Sequence, residues 1–401
     1  MRSHRRSKTL LGLALVCLLA ACHRAPEPST AQTTAPTPAA LTAHSAEFER
    51  GVVEVTDGVY VAIGYGIANA IWLDGTDGAI VVDTTESMES AREVLAAFRQ
   101  HSDKPIKAIV YTHSHPDHIA GAAAFVAPGA DVPIYAHDDV ARNMDKIASE
   151  LQPVITRRSL RMYGARLPPG EFVNLGIGGF LDLHDGSTIS TLRPTRTFAE
   201  TLEDTVAGIR FQLVHAPGET DDQLFVWLPD RKVLLPGDDV YKAFPNLYTI
   251  RGTSYRDPKR WAASVDKMRA LRPEFLVPSH TRPLSGADTI DAVLTDYRDG
   301  IRFVYDQTLR LMNQGLMPDE IAARIRLPAH LAASPYLQTF YGKPSWSAKS
   351  VFVGNLGWFS GDPADLQPLE PVERAKALVA LAGGTEALDR QIEAALGRQE
   401  F

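Results

Sequence analysis

The chain has 401 residues, 41 Lys/Arg against 48 Asp/Glu, a formal charge of −7 and two cysteines. This acidic balance excludes a general nucleic-acid binder, which needs a basic footprint. With both cysteines within the first 22 residues, no later thiol remains for disulfides, and metal ligation must fall to His, Asp and Glu.

At the N-terminus, Arg2, Arg5, Arg6 and Lys8 precede an apolar run from Leu10 to Ala21, too short for a membrane span. The run ends Leu19-Ala20-Ala21-Cys22, which resembles a bacterial lipobox. Residues 1–21 are therefore expected to be a lipoprotein signal peptide, with lipid on Cys22 as the one membrane attachment. The protein would face the periplasm, and His23 favours the outer membrane. Processing would leave 37 basic against 48 acidic residues, a formal charge of −11. Residues 22–47, rich in Ala, Pro, Thr and Ser, predict a disordered tether.

Globular patterning begins at Phe48. Short strands are predicted at 52–55, 59–62, 69–73 and 79–83, separated by Gly/Asp turns. A helix follows over 87–100, with Ala91, Val94, Leu95 and Phe98 on one face, then a strand over 106–112. A strand-rich block spans 188–235, a helix 258–271, and a strand 275–278 leads into Ser279-His280. Beyond Gly286 the patterning is helical, with a long amphipathic helix over 288–314 and shorter ones at 318–325, 371–382 and 386–396. The fold class is α/β, a layered sandwich over 48–290 followed by a helical domain over 291–401.

The segment His113-Ser114-His115-Pro116-Asp117-His118 places four metal-ligand side chains in one turn, directly after a buried strand. Imidazole and carboxylate suit zinc where no thiolate is offered, and would also accept iron or manganese. Two further acids stand in turns beside strands, Glu219 in Pro217-Gly218-Glu219 and Asp238 in Pro236-Gly237-Asp238-Asp239. His280 lies just beyond another strand end. Asp239 is expected to support a ligand by hydrogen bonding, and His215 to be structural.

His113, His115, Asp117, His118, Asp238 and His280 match the metallo-β-lactamase superfamily pattern. Glu219 stands where most members carry histidine, and on that departure the chain resembles the zinc-dependent alkyl sulfatases. The bridging acid in that family is usually glutamate; this chain has Asp238. The resemblance implies a metallo-β-lactamase-like αββα sandwich holding two Zn²⁺ per subunit: His113, His115 and Glu219 on one, Asp117, His118 and His280 on the other, and Asp238 between them. Two cations about 3.5–4 Å apart make a shared water acidic enough to give hydroxide near neutral pH. Asp117 thereby counts among the catalytic residues.

Phe244-Pro245-Asn246-Leu247-Tyr248-Thr249-Ile250-Arg251-Gly252 is similar to the sulfate-binding segment of that family. An Arg fork with an Asn amide is a natural receptor for a sulfate ester, so Asn246 and Arg251 are assigned to the anion, with Arg256 as a third. The stretches 161–170 and 175–179 also resemble the alkyl sulfatases, with Tyr163 expected on the ester and Gly178 permitting close backbone approach. Residues 334–342 and 356–364 resemble the family's helical dimerisation domain, implying a homodimer. The resemblance covers about residues 50–396; the family normally continues into a lipid-carrier-like domain. The activity implied is hydrolysis of anionic alkyl sulfates to alcohol and sulfate. Other chemistry on the same fold (β-lactamase or phosphodiesterase) and a metal-binding lipoprotein without catalysis are the alternatives.

Overall fold

A computed structural model describes residues 37–168 and 170–398. The expected signal peptide and Cys22 lie outside these residues. Among the described residues no helix is long and apolar enough to cross a membrane.

Residues 38–47, expected to belong to a disordered tether, are instead helical. Helix α1 (Pro38–His44) is capped by the Thr37 hydroxyl, which accepts from Ala40 N at 3.1 Å, and carries proline in its first turn. His44 is buried, stacks on Phe340 at 4.2 Å and meets the Gly176 carbonyl at 2.8 Å. Composition signalled disorder here because the anchoring partners lie far along the chain.

Seven strands then form the first sheet in sequence order: β1 (Gly51–Thr56), β2 (Val59–Ile63), β3 (Ala70–Asp74), β4 (Ala79–Val82), β5 (Ile106–Val110), β6 (Ile134–His137) and β7 (Arg196–Phe198). The first four are antiparallel neighbours and β4 to β7 run parallel. Parallel pairing requires crossovers. Helix α2 (Met88–Phe98), capped by Ser87, lies in the first, and α3 (Pro116–Ile119) carries part of the motif turn in the second. Between β6 and β7 stand α4 (Val140–Asp145), a π-helical stretch (Lys146–Glu150) and α5 (Gln152–Met162). These were not legible in the sequence, and α5 buries none of its residues.

The second sheet has the order β13-β12-β11-β10-β9-β8, formed by β8 (Thr201–Val206), β9 (Ile209–His215), β10 (Leu224–Leu228), β11 (Val233–Leu235), β12 (Phe275–Leu276) and β13 (Leu284–Ser285). The predicted strand-rich block thus starts at Arg196 rather than at Thr188. Val61, Ile71, Val82 and Val110 of one sheet face Phe211, Leu213, Val226 and Leu235 of the other in a single inner core. Trp72, Ala91, Val94 and Phe98 fill the layer under α2. The result is the αββα sandwich.

The outer layer of the second sheet joins the two predicted domains. Trp261, Val265 and Met268 of α6 (Pro258–Ala270) share one core with Ile290, Leu294, Tyr297, Ile301 and Val304 of α7 (Ala287–Met312), and with Leu327, Leu331 and Leu337 beyond. The segment after residue 290 is therefore not a separate packing unit at its start. Helices α8 (Pro318–Arg324), α9 (Ala329–Ala332) and α10 (Pro344–Leu356) follow, then α11 (Pro371–Leu381) and α12 (Thr385–Gly397), neither of which buries a residue. Ile301→Ala, at a fully buried site, is expected to cost about 2–5 kcal/mol in chemical denaturation. Tryptophan fluorescence and far-UV circular dichroism should trace one coincident transition; two separated transitions would contradict the shared core.

Candidate metal centre

Both sheets deliver their strand ends to one edge. His113, His115 and His118 follow β5, Glu219 follows β9, Asp238 follows β11 and His280 follows β12. His113, His118 and His280 are fully buried, and His115, Glu219 and Asp238 nearly so. Their ligand atoms converge in three groups, each within 4.8 Å: His113/His118/Asp238, Asp117/His118/His280 and His115/Glu219/Asp238. Asp238 Oδ2 lies 3.6 Å from His113 Nε2 and 3.2 Å from His280 Nε2, and its Oδ1 lies 3.4 Å from His118 Nε2. Asp117 Oδ2 is 3.4 Å from His118 Nε2 and 3.7 Å from His280 Nε2.

The donor set fits a pair of divalent cations. His118 Nε2 and Asp238 Oδ1 are buried with no hydrogen-bond partner, a costly state for polar atoms unless something binds them. Like-signed carboxylates packed this closely also call for positive charge. Burial disfavours the ionised forms of both Asp117 and Asp238, but neighbouring imidazoles outweigh it, holding Asp117 at about 2 and Asp238 well below the usual carboxylate range. Reciprocally, burial lowers His280 and His118, yet Asp238 and Asp117 raise His280 to about 9 and His118 well above its ordinary value. His113, buried beside the charge on His118, falls to about 4.

Residues that sequence reasoning missed orient these ligands. Asp83, at the end of β4, adopts a positive φ of 60°, a conformation aspartate tolerates better than most side chains. Its carboxylate accepts from Thr112 N (2.9 Å), Thr112 Oγ1 (2.9 Å) and Ser279 Oγ (2.9 Å), and meets His118 Nδ1 at 2.8 Å. This directs His118 Nε2 at the cluster. Asn69 Nδ2 donates to the carbonyls of Pro278 and Thr281, bracketing His280. His280 Nδ1 meets the Ile67 and Ile177 carbonyls at 2.9 and 3.1 Å. Glu86, whose burial raises it to about 7, accepts from Ile67 N and Asp182 N. Asp239 accepts from Glu219 N at 3.1 Å, the support expected of it, and a Cβ on Gly218 would sit 1.9 Å from its Oδ1. His215 stacks on His137 at 4.0 Å, a structural position.

The anion residues divide. Arg251 Nη2 lies 3.1 Å from His115 Nε2, and Arg251 lines a cavity of about 460 Å³ together with His115, Glu219 and Arg256. Asn246 is buried, and its amide nitrogen lacks a partner. Arg256 pairs with Glu219 Oε1 at 2.8 Å and donates to the Asn246 carbonyl at 2.5 Å, so one of its amino groups is committed to holding the site together. Its Nε and Nη2 are buried without partners. Tyr163 packs against the cluster of Ile67, Leu175, Ile177 and Tyr241 and does not line the cavity, a correction to its expected contact with the ester. Gly178 does not line the cavity: a Cβ there would lie 2.6 Å from the Ile67 carbonyl. The close approach it permits is between backbones behind His280, a correction to its expected substrate contact.

The metallo-beta-lactamase superfamily pattern matches residues 63–280, and the chain belongs to that superfamily. Its architecture is that of the alkyl sulfatase branch, since the alkyl sulfatase dimerisation pattern matches residues 317–401. A linear primary-alkylsulfatase of Pseudomonas sp. is 42% identical over 322 residues, covering 78% of this chain and 60% of that one. An (R)-specific secondary-alkylsulfatase of Pseudomonas sp. is 32% identical over 365 residues, covering 88% and 55%. The solved structure of the stereoselective inverting sec-alkylsulfatase Pisa1 from Pseudomonas sp. superposes with a TM-score of 0.83 at 30% identity, covering 88% of this chain and 57% of that one. The chain thus spans between half and two thirds of the length of these relatives.

Protonation of the metal-free centre makes a pH prediction. Folded-state values of His280 and His118 raised above about 6.5 contribute stability that is complete below that pH and is lost as pH climbs through about 9. Chelator-treated protein should therefore melt at progressively lower temperature from pH 7 to 9.5. Metal-loaded protein should resist this decline, because cations displace those protons and bind more tightly as pH rises. Equal slopes in both forms would count against a metal centre at these histidines.

Proposed function

We propose that the protein hydrolyses alkyl sulfate esters to alcohol and sulfate at a binuclear zinc centre. The observation that carries this reading is the make-up of the cavity beside the ligand cluster. Its lining combines His115, Glu219, Arg251 and Arg256 with the apolar side chains of Ile147, Leu151, Val154 and Ile155, contributed by the segment that runs from the π-helical stretch into α5. A fixed anion joined to a hydrocarbon chain complements such a space. The naming of its relatives as alkylsulfatases supports the same substrate class.

In this reading His113, His115 and Glu219 would hold one Zn²⁺ and Asp117, His118 and His280 the other, with the Asp238 carboxylate within reach of both groups. When bound, the pair supplies Lewis acidity and a more acidic water. Arg251 would receive the sulfate group. Arg251 already lines the cavity, with its Nη2 3.1 Å from His115 Nε2, so its guanidinium stands beside the ligands that would hold the metal. Asn246 does not line the cavity, but its buried amide lacks a partner and is proposed as a second donor to a sulfate oxygen, supporting Arg251 in stabilising charge as sulfate departs. Burial raises Glu219 to about 6 even with the Arg256 guanidinium beside it favouring the charged form. Because one relative is described as inverting, water is proposed to attack carbon, with the C–O bond breaking.

A homodimer is part of this proposal. Leu366, Leu369, Val372, Leu378, Leu381 and Leu396 are exposed around α11 and α12, apolar side chains that a partner subunit would cover. Attachment to a periplasm-facing membrane through lipid on Cys22 completes the proposed setting, resting on the sequence before residue 37.

Purified protein is expected to release sulfate from a C4–C12 alkyl sulfate series, to contain two zinc ions per chain by elemental analysis, and to lose activity on chelation. Arg251→Ala should lower kcat/KM by roughly 10²–10³. Turnover of nitrocefin or bis-p-nitrophenyl phosphate without sulfate release would overturn the substrate assignment. Hydrolysis in ¹⁸O-water should label the alcohol; label in sulfate would contradict attack at carbon.

A further inference from the structure

Helix α5 carries a second feature that the proposed reaction does not use. Val154, Arg157, Arg158 and Arg161 recur at the i, i+3, i+4, i+7 spacing of one helix face. Together with Arg166 from the following turn they line a separate cavity of about 220 Å³. No acidic side chain lines it. Val154 and Arg158 line the larger cavity as well, so the two are neighbours.

The pairing of these arginines sets them apart. Elsewhere on this acidic surface arginines commonly meet carboxylates, as Arg50 meets Glu93, Arg193 meets Asp145 and Arg260 meets Asp221. Arg158 is committed to backbone, donating at 2.6 Å to the carbonyls of both Ile250 and Arg251. It thereby ties α5 to the loop that carries Arg251. For Arg157, Arg161 and Arg166 no carboxylate or other side-chain hydrogen-bond partner stands within reach among the described residues. Like charges three and four residues apart destabilise a helix, and an anion between them reverses that penalty. The guanidinium fork matches a sulfate group's oxygens.

We propose that Arg157, Arg161 and Arg166 form a second anion station that holds a sulfate group, –OSO₃⁻ on an incoming ester or free sulfate leaving, next to the catalytic cavity. The inference rests on the alkyl sulfatase reading for its ligand. On a chain of net negative charge the station would overcome the general repulsion of an anionic substrate, passing it across Arg158 toward Arg251. No covalent step is involved.

The test is the triple variant Arg157→Gln/Arg161→Gln/Arg166→Gln of the metal-loaded full chain, with its melting temperature compared to wild type. These side chains are exposed, so folding should survive. With hexyl sulfate at low ionic strength, kcat/KM is expected to fall about tenfold with kcat unchanged. In 1 M KCl, where charges are screened within about 3 Å, variant and wild type should converge. Unchanged kcat/KM at low salt, or a loss that persists at 1 M KCl, would overturn the station.

Calorimetric titration with hexane-1-sulfonate, which carries the sulfonate head on a C–S bond, reads binding without turnover. Two molecules per subunit are expected for wild type and one for the variant; one for both would overturn the proposal. A wild type that turns over no alkyl sulfate but loses a sulfonate site in the variant would refute the catalytic reading and leave the station standing. Weakened inhibition by inorganic sulfate in the variant would assign the station to the leaving product as well; unaltered inhibition would assign it to the ester alone.

Discussion

The carboxylate of Asp83 is the constraint on which the site depends. It is buried at the end of β4 and receives hydrogen bonds from Thr112 after β5 and Ser279 after β12, while holding the imidazole of His118. One group thus ties turns from both sheets together and sets which nitrogen of His118 faces the cluster. A buried charge survives only when its lone pairs are all engaged. Removing any one partner would leave the rest poorly compensated, so the four contacts behave as a unit.

Around that anchor the protein concentrates opposing charge. Three carboxylates and four imidazoles, all but Asp117 buried, crowd together, and each perturbs the protonation of the others. Such an arrangement is poorly stabilised by protons alone, since those that settle on His118 and His280 leave as pH rises. Divalent cations are the compact charge that satisfies it at neutral pH. The same logic extends outward, where Arg256 is buried against Glu219 and Arg251 rests on His115. Arg251 and Arg158 line the cavity beside the cluster, and Arg158 with Arg157 and Arg161 lines its neighbour.

The helical segment is coupled to this centre rather than appended to it. α7 packs on α6, and Trp261 of α6 donates to the Asp239 carbonyl, whose carboxylate holds the Glu219 turn. His44 and Phe340 stack beside Gly176, so α1, the stretch 175–179 and the segment after α9 meet behind His280. The length of chain beyond the sandwich therefore bears on ligand geometry as well as on assembly.

What the sequence by itself determined was the local chemistry. The His113–His118 turn after a buried strand, Glu219 and Asp238 in Pro-Gly turns, His280 at a strand end, the helix α6 and the periodic patterns of α2 and α7 were all legible, because ligand type and periodicity are properties of neighbouring residues. Only the tertiary structure decided which buried atoms meet. The roles of Asp83, Asn69 and Arg256, the backbone contact of Gly178, the early end of the tether and the whole of α4 and α5 rest on contacts made far along the chain or on weak local signals. A buried donor or acceptor is satisfied by whatever the fold brings near, and no spacing in the sequence records that.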